Sequence, residues 1–191
     1  MVEAAHDPAQ GELHLFGGHR GIGNDEGVAR FDGVRFVSFG LHEGLGGGAV
    51  RALFEDRAGA LWIGTDGSGL TRRQGGRFTA FTKQHGLPAD SITALGEDQE
   101  GRLWVGTEGG LAWWQNGQFA VPGSAEMFRG RRISFVTRDR QGMLWVGVSR
   151  AGIFRLAGGQ FTALADNAVE GLLQNSHCLL PDKSARIADR A

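Results

Sequence analysis

Three carboxylates return at near-constant intervals: Asp56, Asp98 and Asp139 are spaced 42 and 41 residues apart. Each precedes a glycine by three residues (Gly59, Gly101, Gly142) and a tryptophan by six (Trp62, Trp104, Trp145). Converging carboxylates could act as a general acid and base. One that recurs at the head of a D-x-x-G phrase has a simpler role. Its side chain can accept a backbone N–H two residues on, and the glycine supplies the positive φ that the turn needs. All nine residues are therefore read as structural anchors. The histidines stand at 6, 14, 19, 42, 85 and 177 and form no H-x-H or H-x-x-x-H pair, so no metal site is expected. Cys178 is alone, which excludes an internal disulfide and a thiolate cluster. No G-x-S-x-G elbow or G-x-x-x-x-G-K phosphate loop occurs. The expectation is no catalytic residue, no metal and no cofactor.

A few residues outside the repeating phrase could bind a ligand. Trp113 and Trp114 are adjacent, so a strand would send them to opposite faces, and one of them is a candidate exposed aromatic. His85 lies in a link between repeat copies, where a solvated loop is the competing reading. Arg131 and Arg132, with Arg129 and Phe128 beside them, form a short basic run. That run is either a solvated link or a contact for an anionic sugar or partner.

The elements that position these residues come from an internal repeat. Phe36, Phe78 and Phe119 each precede the next tryptophan anchor by 26 residues. Gly27, Gly69, Gly110 and Gly152 each precede a phenylalanine by nine. Each copy holds four short segments rich in Trp, Val, Ile, Phe and Thr, without helical periodicity. In the third copy they are expected at 92–97, 103–107, 111–115 and 118–121. Asp32-Gly33 and Asn116-Gly117 are hairpin signals between segments. Four strands per period of about 42 residues is the pattern of a propeller blade. The fold expected is all-β, a propeller of about four four-stranded blades near 2–40, 48–82, 90–122 and 132–165. A fifth blade starts at 172–182, so the propeller segment spans 1–182 and a tail follows at 183–191. His14 takes the tryptophan slot of a worn first copy. The tryptophan anchors are expected to pack between blades.

The phrase D-x-x-G-x-L-W-[IV]-G-T followed by G-L resembles the two-component regulator propeller repeat. It reads Asp56 to Thr65 with Gly69-Leu70, and Asp98 to Thr107 with Gly110-Leu111. His85-Gly86-Leu87-Pro88-Ala89-Asp90-Ser91-Ile92 is similar to that family's link between blades. The resemblance implies the periplasmic sensing part of a bacterial receptor for a small molecule or oligosaccharide, continuing elsewhere into a membrane span and an output domain. Its partners would be the remaining blades of a larger receptor or a second copy of this chain. The alternative is a propeller-scaffold lyase or hydrolase of the streptogramin lyase type, whose repeats also carry an LW phrase after a glycine. An enzyme should break the repeat with one polar cluster at a funnel mouth. Only GGHRGIGNDE and GSAEMFRGRR break it here.

Composition bounds the rest. The formal net charge is −1, with 20 basic and 21 acidic residues, so no global field favours nucleic acid. No apolar run approaches the roughly 18 residues of a membrane span. The N-terminal MVEAAHDPAQ has neither the basic nor the apolar region of a secretory signal. Expressed as it stands, the chain would be cytoplasmic. Its first and last blades are expected to leave apolar faces that dimerise or aggregate.

Overall fold

The computed structural model describes residues 14–17, 28–31, 36–40, 42, 44–115 and 117–164. Outside them lie the expected innermost strand of the first copy, most of GGHRGIGNDE, the start of a fifth blade at 172–182 and the tail. His6, His19, Cys178 and His177 lie outside them too.

The described chain is almost entirely strand. Strands β1 (His14–Gly17), β2 (Val28–Phe31) and β3 (Phe36–Phe39) form a three-stranded antiparallel sheet in sequence order. Three four-stranded antiparallel sheets follow, each also in sequence order. The second holds β4 (Val50–Glu55), β5 (Leu61–Thr65), β6 (Leu70–Gln74) and β7 (Arg77–Phe81). The third holds β8 (Ile92–Glu97), β9 (Leu103–Thr107), β10 (Gly110–Gln115) and β11 (Gln118–Ala120). The fourth holds β12 (Ile133–Arg138), β13 (Leu144–Val148), β14 (Gly152–Ala157) and β15 (Gln160–Ala163). The fold is thus an all-β row of propeller blades.

The tryptophan-bearing strands β5, β9 and β13 are buried at every position. A strand with one wet face would alternate. These do not, because both faces of the sheet are covered, which is why LWIGT and LWVGT read as unbroken apolar runs. Trp62 and Trp104 are about 99% and fully buried, and Trp145 is 9% exposed. Trp62 meets Trp114 and Phe119 of the third sheet with ring centroids 5.6 and 6.1 Å apart. Trp104 meets Phe161 of the fourth at 5.7 Å, edge to face. Such aromatic pairs contribute about 0.5–1.5 kcal/mol beyond their buried area. These two anchors join the second blade to the third and the third to the fourth.

The glycine of LW[IV]G serves the same contact. A Cβ on Gly64 would fall 2.5 Å from Ile92 Cγ2, and one on Gly106 would fall 2.7 Å from Ile133 Cγ2. The innermost strand of the following blade presses its first isoleucine onto that bare backbone. Any larger residue would force the blades apart.

Each innermost strand carries an irregularity at the same place. Pairing skips a residue between Val50 and Ala52, between Ile92 and Ala94, and between Ile133 and Phe135. Arg51, Thr93 and Ser134 are the residues passed over. A bulge breaks the pleat and re-aims one side chain. Here it does so once in each of the three four-stranded sheets, at the same end.

Candidate functional site: the polar rim

That end is a rim built from three kinds of position. One is the bulged residue: Arg51, Thr93 or Ser134. The second follows the tryptophan strand: Asp66, Glu108 or Ser149. The third precedes the innermost strand: Ala49, Ser91 or Arg132. Backbone bonds hold the second and third together in each of the three four-stranded blades. Asp66 N–H donates to Ala49 O at 2.9 Å, Glu108 N–H to Ser91 O at 3.0 Å, and Ser149 N–H to Arg132 O at 2.9 Å.

Side chains then link neighbouring blades. Ser91 Oγ donates to Asp66 Oδ1 at 3.0 Å, from the third blade to the second. Arg132 pairs with Glu108 in the same way, from the fourth blade to the third. Within blades, Arg51 donates to Asp66 Oδ2 at 2.6 Å and the Ser134 and Ser149 hydroxyls lie 3.0 Å apart. The Arg51 hydrogen bond, then that from Ser91, hold the Asp66 carboxyl below the usual aspartate range, and the Arg132 charge adds to this through space. Arg51, Asp66, Glu108 and Arg132 are all exposed. The rim therefore presents a connected row of charges and hydroxyls whose residue types change from blade to blade.

The recurring carboxylates are not on this rim. Asp56 Oδ1 accepts the N–H groups of Ala58 and Ala60 at 3.0 and 2.9 Å, and its Oδ2 accepts the Trp62 indole N–H at 2.7 Å. Asp139 repeats this with Gln141, Met143 and Trp145. Asp98 accepts Arg102 N–H and Trp104 Nε1–H, and pairs with the Arg102 guanidinium at 2.7 Å. Gly59, Gly101 and Gly142 close these turns at φ of 73°, 79° and 83°. Burial alone would raise the Asp98 carboxyl. The hydrogen bonds from Trp104 and from the backbone and side chain of Arg102 outweigh it and hold the group below its ordinary value.

The expected binding residues do not converge. Trp113 and Trp114 do face opposite sides of β10, but both are half-buried. Trp113 lies against Trp104 at 5.1 Å under the Arg102 guanidinium. Trp114 packs on Phe81 and Phe119 at 4.9 and 4.8 Å, with Arg72 stacked over it and over Trp62. Neither is the exposed aromatic expected from their adjacency: stacked blades cover both faces of the strand. His85 is exposed, and its Nδ1 accepts the Thr82 N–H at 3.0 Å. Arg131 and Arg132 stand on the rim. Arg51, Asp66, Ser91 and Glu108 were not among the residues singled out from the sequence. Aligning the copies position by position, away from the anchors, would have found them, because each varies where the anchors hold constant.

Among the described residues no group of three or more His, Cys, Asp and Glu side chains could hold a metal ion, and no helix is long and apolar enough to cross a membrane.

Residues 44–67 and 86–109 match the family described as two component regulator propeller. No curated protein matches the chain in sequence. Among solved structures, the extracellular domain of BT4673 from B. thetaiotaomicron superposes with a TM-score of 0.64 at 21% identity. That match covers 87% of this chain and 22% of the other. The extracellular domain of BT3049 from the same organism gives 0.59 at 22% identity, over 79% of this chain and 21% of the other. Virginiamycin B lyase from Staphylococcus aureus gives 0.62 at 16% identity, over 87% of this chain and 56% of the other. The chain thus spans about a fifth of the length of the extracellular domains it matches, and these likenesses are ones of fold. Both matched segments contain the D-x-x-G-x-L-W phrase described above, and it is in these two segments that the chain carries the blade repeat of the two component regulator propeller family.

Proposed function

We propose that the chain is a ligand-sensing or interaction module of a bacterial two-component receptor, and that it binds rather than catalyses. The repeats at 44–67 and 86–109 support the sensing role. The observation that carries the binding role is the division of polar residues. Carboxylates that recur in every blade are committed to turns and indole N–H groups, while the exposed rim varies from blade to blade. A surface that is fixed in backbone and free in side chain suits recognition. The ligand class is a small molecule or oligosaccharide, met in the periplasm, with further blades or a second copy as protein partners. A panel of glycans screened for saturable binding to the purified chain tests this. Binding that weakens on changing Asp66 or Glu108 is the expected result. Turnover of any ligand that vanishes with one rim side chain would replace this reading with an enzymatic one.

A further inference from the structure

The fourth blade departs from the second and third at two rim positions that lie on either side of one backbone hydrogen bond. The first is in the tight turn between β13 and β14, closed by Ala151 N–H donating to Val148 O at 3.0 Å. Gly67 stands there in the second blade, at φ 89°, and the third blade has a turn one residue shorter that carries Gly109 and Gly110. In the fourth it is Arg150, at φ 61°, the one non-glycine residue at positive φ among the described residues. A Cβ is disfavoured in that region, which is why glycine is its usual occupant. The second position is Arg131, where the third blade has Asp90 and the second Gly48. The bond from Ser149 N–H to Arg132 O lies between them, so Arg131 and Arg150 flank one backbone bridge.

Both side chains are exposed, and neither has a hydrogen-bond or ion-pair partner among the described residues. Their neighbours differ: Arg132 pairs with Glu108, and Arg129 makes two bonds of 2.8 Å to the Glu126 carboxylate. The stretches 122–132 and 149–151 together carry four arginines and one glutamate, in a chain of net charge −1. Two unneutralised positive charges carried on either side of one backbone bridge repel, and the backbone under Arg150 is strained. The second blade spans a turn of the same length with glycine at this place, so the fold does not require an arginine on strained backbone. Strain and repulsion held at an exposed position point to a ligand that relieves them.

We propose that Arg131 and Arg150 form a binding site for a small oxyanion, the carboxylate or sulfate group of a soluble ligand. Two guanidinium forks can each present parallel N–H donors to its oxygens. Arg132, fixed by Glu108, adds positive potential at the base of the site. The proposal rests on the binding role argued above and narrows it to the charge of the ligand.

The test is a titration of the isotope-labelled chain followed by backbone amide resonances. Sodium sulfate and sodium acetate are added in separate arms, against sodium chloride at matched ionic strength. Saturable shifts confined to residues 129–132 and 149–151 are expected, and the stronger arm distinguishes sulfate from carboxylate. Arg150→Gly installs the residue of the second blade and Arg131→Asp that of the third, and each should weaken binding at least tenfold. Arg150→Gly should unfold no earlier than the parent, so loss of binding is not loss of fold. Shifts equal to those in chloride, or unchanged in Arg150→Gly, would overturn the site. A chain that binds a neutral glycan at the rim without a sulfate or acetate response sinks this proposal and leaves the sensing role standing. Anion binding without any response to the glycan panel does the reverse.

Discussion

Asp98 Oδ2 accepts the indole N–H of Trp104 at 2.8 Å, across six residues and one turn. The same oxygen takes the Arg102 guanidinium, and Oδ1 takes the Arg102 amide. The aspartate and the tryptophan of each repeat are therefore one unit. The carboxylate closes the turn and holds the large ring at the orientation that meets the next blade. Asp98→Asn keeps the shape but loses one acceptor oxygen, leaving the Trp104 N–H or the Arg102 N–H unmatched in a buried place. An orphaned buried donor costs about 1–3 kcal/mol. The expected outcome is a lower denaturation midpoint by that amount. An unchanged midpoint would show that the indole bond contributes nothing.

The same bond sets an acid limit. The folded Asp98 carboxyl lies below its unfolded value, which is about 3.9. A depressed carboxylate stabilises the fold fully above the unfolded value, and this contribution is lost as pH falls through the folded value. Stability should therefore be flat in this respect near neutrality and fall below about pH 4. Asp98→Asn should make the fall shallower. Urea midpoints taken from pH 7 to pH 3 on both proteins check the sign.

Trp104 has no exposed surface and meets Trp113 in its own blade and Phe161 in the next. Trp104→Ala should cost about 3–5 kcal/mol, the range for emptying a large aromatic site. Thermal unfolding by circular dichroism measures it. A midpoint equal to the parent would remove Trp104 from the core.

The anchors were legible in the sequence because they obey a period. Trp62, Trp104 and Trp145 stand 42 and 41 residues apart, and a side chain that returns at one blade length meets the same neighbour each time. The turn role of Asp56, Asp98 and Asp139 was legible from D-x-x-G alone. Its second half, the indole bond, was not, since spacing shows which residues recur and not which atoms meet. The burial of both Trp113 and Trp114 was hidden for a related reason. Alternation along a strand tells faces apart, but only stacking decides whether either face sees water. The period marks the rim only as positions that vary between copies, and does not show where their side chains point. Arg51 and Ser134 are exposed at bulges, and a bulge leaves no mark on spacing between anchors.

Gly106 offers a test of blade spacing. Its added Cβ would stand 2.7 Å from Ile133 Cγ2 and 2.8 Å from Ile133 Cβ, on a stiff β-branched residue that cannot swing aside. Gly106→Ala should cost about 1–3 kcal/mol through overpacking. Ile133→Ala also destabilises, by opening a cavity. The double variant should be less destabilised than the sum, because each change makes room for the other. A double-mutant cycle in urea decides it, and strict additivity would mean that the two residues do not touch.

Arg57 ties the second blade to the third, and its removal should act mainly through the charge it leaves behind. Its Nε stands 2.8 Å from Glu97 Oε1, and its backbone N–H donates to Glu97 Oε2 at 3.1 Å. Its two terminal nitrogens donate to Gln99 O and Asp98 O at 2.9 and 3.1 Å. Glu97 is 7% exposed, whereas half of the Arg57 side chain meets solvent. A fully buried pair broken on one side costs about 3–5 kcal/mol. The wet guanidinium lowers this towards the surface range, so about 1–3 kcal/mol is expected for Arg57→Ala. Glu97→Gln keeps the bulk of the buried side chain and removes its charge. Placed in the Arg57→Ala background, it should restore part of the lost stability, although it destabilises the parent. That reversal of sign is what a buried, unpaired carboxylate produces and what simple loss of packing does not. Chemical denaturation of the parent, both single variants and the double variant measures it. A glutamine that destabilises equally in both backgrounds would reduce Arg57 to a packing residue.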